Sequence, residues 1–167
     1  MSRGLVWFIG VIATLLVAVI LLLVLVRSAD GPMEILSGGP FRTGEVVSNI
    51  TDWTFMDEHM AIEMQTMLPP RSRTMWLIVH DNRPYVISSY MNSKLGRLWK
   101  QWPRTIEKDN RAIIRLDGKL YELALTRVSV TSETEAILGR FNEKYKTRFT
   151  LADIESGSSW LFELSPR

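Results

Sequence analysis

TMWLIVHD (Thr74 to Asp81) and PYVISS (Pro84 to Ser89) flank a polar break at Asp81-Asn82-Arg83. Further on, RAIIRL (Arg111 to Leu116) and LYELALTRV (Leu120 to Val128) flank Asp117-Gly118-Lys119. Asp-Gly between alternating apolar runs is the strongest short hairpin signal, because Gly tolerates the positive φ that such turns need. Between the two hairpins lies Asn92 to Asp109, too polar and basic for a buried strand and read as a basic helix. The stretch Arg73 to Val128 therefore reads as strand, turn, strand, basic helix, strand, turn, strand.

Outward from that unit, Glu45 to Asn49 reads as a strand and Thr51 to Phe55 as a turn with an aromatic plug. Met56 to Leu68 is ambiguous. Met56, Met60, Met64 and Met67 have helical spacing, while Met60, Ile62 and Met64 also alternate with polar residues at strand spacing. A strand over 58–66 is expected, because neighbouring strands need partners, and Pro69-Pro70 ends it. Downstream, Ser132 and Glu135 form a capping-box pattern. The helix they open is expected to run to Lys146 and to bury Ala136, Ile137, Phe141 and Tyr145. A second capped turn begins near Thr150, and Trp160, Phe162 and Leu164 alternate as in a half-buried closing strand. Six or seven strands with two or three helices make a mainly β, α+β domain, a barrel or sandwich decorated with helices.

The amino-terminal part is different material. Gly4 to Val26 has no charged residue and is bracketed by Arg3 and Arg27. As a helix it spans roughly 34 Å, enough for a hydrocarbon core of about 30 Å. A secretory signal peptide is the competing reading, but the run is long and Val26-Arg27-Ser28-Ala29 makes a poor cleavage site. Residues 4–26 are thus expected to anchor the chain in the lipid bilayer as a single pass. Residues 27–43, rich in Gly, Ser and Pro, are expected to be a tether, and 44–167 one domain. The short leader before the span favours an extracytoplasmic domain.

Charge and composition exclude several functions. All 18 acidic residues lie after Arg27, and two of the 20 basic residues flank the span, leaving the soluble part at 18 against 18. That balance, without a basic tail, does not indicate a nucleic-acid partner. There is no cysteine, which removes disulfides, thiolate metal sites and a cysteine nucleophile. His59 and Glu63 are four apart, but only one other histidine, His80, exists, so no metal site is expected. The methionines of 56–67 read as adaptable core filler. No phosphate-binding Gly loop or nucleophile elbow is present, and no catalytic acid, base or nucleophile stands out. Residues 92–111 carry six basic side chains (Lys94, Arg97, Lys100, Arg104, Lys108, Arg111) against Glu107 and Asp109, whereas 45–69 carry five acidic ones and no Lys or Arg. Lys94 and Arg97 at the start of the basic helix can bind a phosphate. Trp99 and Trp102 either flank a planar ligand or pack inside.

The order of elements resembles the pyridoxamine-phosphate-oxidase-like, FMN-binding split-barrel superfamily. The resemblance rests on Arg73-Thr-Met-Trp-Leu-Ile-Val-His-Asp, Pro84-Tyr-Val-Ile-Ser-Ser, Ser93-Lys94 opening a helix, Lys108 to Lys119 and Trp160 to Arg167, and spans about residues 43–167. It implies an antiparallel split barrel of six to seven strands. It further implies a flavin phosphate held at Arg73, Ser88 or Ser89, and Lys94, with Arg97 as an added candidate. A homodimer with cofactor sites at the subunit interface is implied too. The resemblance departs where oxidases carry an Arg-Lys pair and this chain has Ser93-Lys94. It departs again at Ser159 to Arg167, which lack the C-terminal substrate-binding motif, so oxidation of pyridoxamine phosphate is not expected. Two functions follow: a membrane-anchored oxidoreductase using FMN or a related flavin on a small substrate, or a cofactor-less interaction or small-ligand module on the same scaffold. Fold alone does not choose between them.

Overall fold

The computed structural model describes residues 2–33, 36–94, 96 and 100–167. In chain order the elements are α1 (Arg3–Ser28), β1 (Glu45–Val47), a 3-10 turn (Thr54–Glu58), β2 (Ile62–Met67), β3 (Pro70–Met75), β4 (Leu77–His80) and β5 (Arg83–Ser88). They continue with α2 (Trp102–Lys108), β6 (Arg111–Leu116), β7 (Lys119–Arg127), α3 (Thr134–Tyr145), α4 (Leu151–Glu155) and β8 (Trp160–Pro166).

Both hairpins expected from sequence form. Asp117 and Gly118 turn β6 into β7 with φ of 49° and 74°, and Asp81 and Asn82 turn β4 into β5 with φ of 48° and 58°. Positive φ at both central residues gives the turn a twist that matches its flanking strands. Asp and Asn tolerate it better than other side-chain-bearing residues. Asn82 is also tied down, donating to the Thr51 carbonyl at 2.7 Å and accepting from the Trp53 amide at 2.6 Å.

The sheet runs β3-β2-β6-β7-β8-β5-β4, antiparallel throughout, with β1 added parallel to β7. Its two end strands, β3 and β4, are consecutive in the chain and separated only by Trp76. The single strand expected over 74–81 is therefore two. Thr74 and Met75 pair with β2, and Leu77 to His80 pair with β5. A twisted sheet whose ends are joined by one residue has to curl on itself, leaving a seam where β3 meets β4. This is a split β-barrel.

Two hydrophobic layers hold it. Met64, Val79, Val86, Ile114, Leu123 and Phe162 are among the side chains filling the barrel. On the outer face of β4, β5 and β8, Ile78, Tyr85, Ile87 and Leu161 are covered by Ile137, Leu138 and Phe141 of α3 and Ile154 of α4. Burial on both faces explains why Leu77-Ile78-Val79 reads as a continuous apolar run instead of an alternating one.

Several expectations shift. The strand placed at 58–66 begins only at Ile62, because residues 54–58 are held elsewhere. The Val79 amide donates to Asp57 Oδ1 at 2.9 Å, and Lys144 Nζ to the Asp57 carbonyl at 2.7 Å. Met56 and Met64 are buried as expected of core filler, but Met60 is 61% exposed. His59 faces Asp117, and Glu63 binds Arg115. The basic helix expected over 92–109 is described only as α2; Arg97 and Trp99 lie outside the described residues. Trp102 is buried, 5.2 Å from Phe162.

The Ser132–Glu135 capping box does not form. Glu133 occupies the cap, its carboxylate paired with Arg83, and the Thr131 amide donates to the buried Thr134 hydroxyl at 2.9 Å. The helix face turns accordingly, so Leu138 is buried and Ala136 exposed. Lys146, at φ 54°, ends α3. The capped turn at Thr150 is present, with Asp153 reaching back to the Thr150 amide at 2.9 Å.

Residues 30–33 and 36–43 lie along the outside of β2, β3 and β6. Arg115 binds Asp30 at 2.8 Å and Glu63 at 2.6 Å, with its guanidinium 4.3 Å over the Phe41 ring. The Thr43 hydroxyl, the Arg42 amide and Arg115 hold the Asp30 carboxyl down to about 2. A depressed carboxyl adds stability above its ordinary value of 3.8, and that stability is lost as pH falls through the folded-state value. Near the surface the gain is about 1 kcal/mol or less. Asp30→Asn should therefore lower the urea midpoint at about pH 5 and leave it nearly unchanged near pH 2. Equal losses at both pH values would mean that the carboxylate's charge contributes nothing.

α1 is exposed along its length apart from Val26. With a mean hydropathy of 3.3 over its most apolar window, it is long and apolar enough to cross a membrane.

Candidate functional site

A cleft of about 820 Å³ opens where the chain leaves β3 for β4. Strand register delivers its first residues. Arg73 lies opposite Met64 and shares a face of β3 with the core residue Met75. Ser88, the last residue of β5, lies opposite Trp160 and shares a face with Val86. Arg73, Ser88 and Ser89 all line the cleft.

Beyond Ser89 the chain turns sharply, Tyr90 taking φ 63°. The Tyr90 carbonyl accepts from the Ser93 hydroxyl at 2.9 Å, and the Gly96 amide donates to the Ser93 hydroxyl at 2.8 Å. A Cβ at Gly96 would collide with the Tyr90 carbonyl, so this turn requires glycine there. The Lys100 amide donates to the Gly96 carbonyl at 2.8 Å, which sets Lys100 into the cleft wall with its ammonium 5.4 Å from the Tyr90 ring centroid. Lys94 is exposed on the turn and does not line the cleft.

The opposite wall comes from the segment after α3. Asn142 clamps it, donating to the Phe149 carbonyl at 2.9 Å and accepting from the Phe149 amide at 2.7 Å. This places Arg148 and Phe149 beside the cleft. At the seam, the Tyr145 hydroxyl donates to the Leu77 carbonyl at 2.7 Å and accepts from the Leu77 amide at 2.9 Å. Trp76 stacks flat on Tyr145, with ring centroids 4.7 Å apart and planes 9° apart.

Electrostatically the cleft is cationic. Arg83, Arg111, Arg115, Arg127, Arg140 and Arg167 each bind a carboxylate. Arg73 has no such ion pair among the described residues, and its Nε is buried without a hydrogen-bond acceptor. Burial pulls the guanidinium down to about 10, and burial also lowers Lys100. Among the described residues the buried Ser88 hydroxyl meets only the Met91 sulfur, at 3.5 Å, a weak acceptor. Asp153, the acid in the wall, is already engaged: hydrogen bonds from Thr150 and Ser158 hold its carboxyl below the usual range.

Buried donors are nearly always satisfied, so an orphaned arginine Nε in an open cleft beside a weakly engaged hydroxyl is suited to an oxyanion. The aromatic rim offers faces for a planar group. Neither histidine lines the cleft: His59 pairs with Asp117 and His80 with Asp81. A redox reaction here would take its chemistry from a bound group.

Of the candidates named from sequence, the structure brings Arg73, Ser88 and Ser89 together, sets Lys94 outside the lining, and does not describe Arg97. Sequence reasoning missed Trp76, Tyr90 and Arg148, and offered Lys100 only as one member of a basic run. Nothing local marks them, because their place depends on the seam and on the Asn142 clamp.

No protein-family model matches the chain, and no curated protein matches it in sequence. Among solved structures, it is similar to a putative pyridoxamine 5'-phosphate oxidase from Listeria innocua, with 13% identity over 67% of this chain and 87% of that one, at a TM-score of 0.47. It is also similar to an F420 reductase, with 12% identity over 72% of this chain and 96% of that one, at a TM-score of 0.41.

Proposed function

We propose that this protein is a membrane-anchored split barrel that holds a planar, phosphate-bearing cofactor of the flavin type, FMN or a relative, and uses it to oxidise or reduce a small substrate. The observation supporting this reading is Arg73, a half-buried cation whose buried Nε is orphaned, in a cleft walled by hydroxyls and aromatic rings. Arg73, Ser88, Ser89 and Lys100 would hold the phosphate, and Lys94 would add positive charge from the adjoining turn, with Arg97 a further candidate that lies outside the described residues. The bound cofactor would supply hydride or electron transfer. The chain's own part is to bind the phosphate, to orient the ring against Trp76 and Tyr90, and to limit water at the seam. In the same reading α1 crosses the bilayer, the barrel stands on the extracytoplasmic side, and two copies associate.

The test is a visible absorption spectrum of the full chain purified in detergent, followed by titration with FMN. A yellow protein, or saturable uptake in the low-micromolar range, supports the proposal. A colourless protein that takes up neither FMN nor a deazaflavin overturns it in favour of a cofactor-less binding module.

A further inference from the structure

The strap between α1 and the barrel fixes the height of the cleft above the end of the apolar helix. Ser37 forms part of the cleft wall. Its neighbour Gly38 pairs with Ser72, and the Ser72 hydroxyl donates to the Gly39 carbonyl at 2.6 Å. Arg73, one of the cations lining the cleft, is the next residue. Gly39 in turn lies against the carbonyls of Arg27 and Ala29, so closely that a Cβ there would collide with them. Ser37 is two residues from Gly39, and Arg73 one residue from Ser72. At no more than about 3.6 Å per residue, the cleft wall therefore stands within roughly 10 Å of the end of the helix. The polar layer on each side of a bilayer core is about 5–8 Å deep. The Ser37 side of the cleft is thus held at headgroup level.

The rim has the composition of such a level. Trp76 is 46% exposed and Tyr90 is 71% exposed. Tryptophan and tyrosine settle at the headgroup boundary, ring inward and polar tip in the wet layer. Arg148 is exposed on the opposite rim and makes no ion pair among the described residues. Among the described residues lining the cleft, Arg73, Lys100 and Arg148 face one carboxylate, Asp153, which gives the mouth a net positive charge.

We infer that Trp76, Tyr90 and Arg148 dock on the anionic phospholipid headgroups of the bilayer that α1 enters, so that the cleft opens at the membrane surface. This rests on the reading of α1 as a membrane span.

The absence of cysteine makes a clean test possible. Single-cysteine full-length variants, Tyr90→Cys and Glu135→Cys, carry the same fluorophore. Glu135 lies on α3 about 15 Å, along the helix axis, from the end that packs at the seam. The protein is reconstituted in phosphatidylcholine vesicles with and without phosphatidylserine, and quenching by a headgroup-nitroxide lipid is measured. The expected result is several-fold stronger quenching at position 90 than at 135, enhanced by phosphatidylserine. Arg148→Glu should weaken the phosphatidylserine-dependent part about fivefold. Equal weak quenching at both positions, in protein that stays with vesicles after carbonate washing, overturns the docking and leaves the anchor standing. Protein released by carbonate overturns both.

Discussion

Arg73→Ala is expected to weaken uptake of FMN by about 10- to 150-fold, because a hydrogen bond to a charged group contributes about 1.5–3 kcal/mol. The companion variant Arg73→Met separates binding from folding. It keeps an aliphatic stem against the barrel while removing a charge and a buried donor that has no acceptor. Without ligand, Arg73→Met should therefore be more stable than the native chain by about 1 kcal/mol, read as a raised urea midpoint at unchanged slope. Stability given up at one residue in exchange for a ligand is a common signature of a binding site. The sign with pH follows from burial, which pulls this guanidinium below its ordinary value, to about 10. The unfolded chain then holds the proton more tightly, so the native penalty is complete below about pH 10 and fades as pH rises above it. A less stable Arg73→Met with unchanged FMN uptake would make Arg73 a structural residue.

Phe141→Ala should cost about 3–5 kcal/mol, the usual range for emptying a buried aromatic site. Phe141 is fully buried, 6.1 Å from Tyr145 and 6.2 Å edge-on from Phe149. Against a total stability of about 5–15 kcal/mol, that is a large fraction. The loss should reach the cleft, since Phe149 lines it and Tyr145 closes the seam through Leu77 and supports Trp76. FMN affinity should fall as well, although Phe141 itself does not line the cleft. Phe141→Leu, which leaves a smaller void, should recover part of both losses. An unchanged urea midpoint for Phe141→Ala would mean that α3 does not unfold with the barrel.

How much was legible before the fold was known varies by element. Asp117-Gly118 and Asp81-Asn82 announce their turns because positive φ is a property of the residue itself. The alternation of Trp160, Phe162 and Leu164 announces β8 because period two is a property of the strand. The capped turn at Thr150 is equally local. By contrast, the expected strand over 74–81 looked continuous because Met75 and Leu77 are both core residues. Its division at Trp76 exists only because β3 and β4 pair with different partners. The strand at 58–66 shortened because Asp57 is recruited by Val79 and Lys144, distant in sequence. The capping box at Ser132 failed because Glu133 had a partner in Arg83, fifty residues upstream.

The sequence by itself determined the apolar helix, the two hairpins, the closing strand and a mainly β domain with helices, since each depends on neighbours a few residues apart. Only the tertiary structure decided that the sheet ends meet at Trp76, that residues 30–33 and 36–43 are strapped to β2, β3 and β6, and which side chains share the cleft. Those outcomes turn on which buried donor or carboxylate finds its partner across the fold. Arg73 stands out because, among the described residues, no carboxylate pairs with it and its buried Nε finds no acceptor.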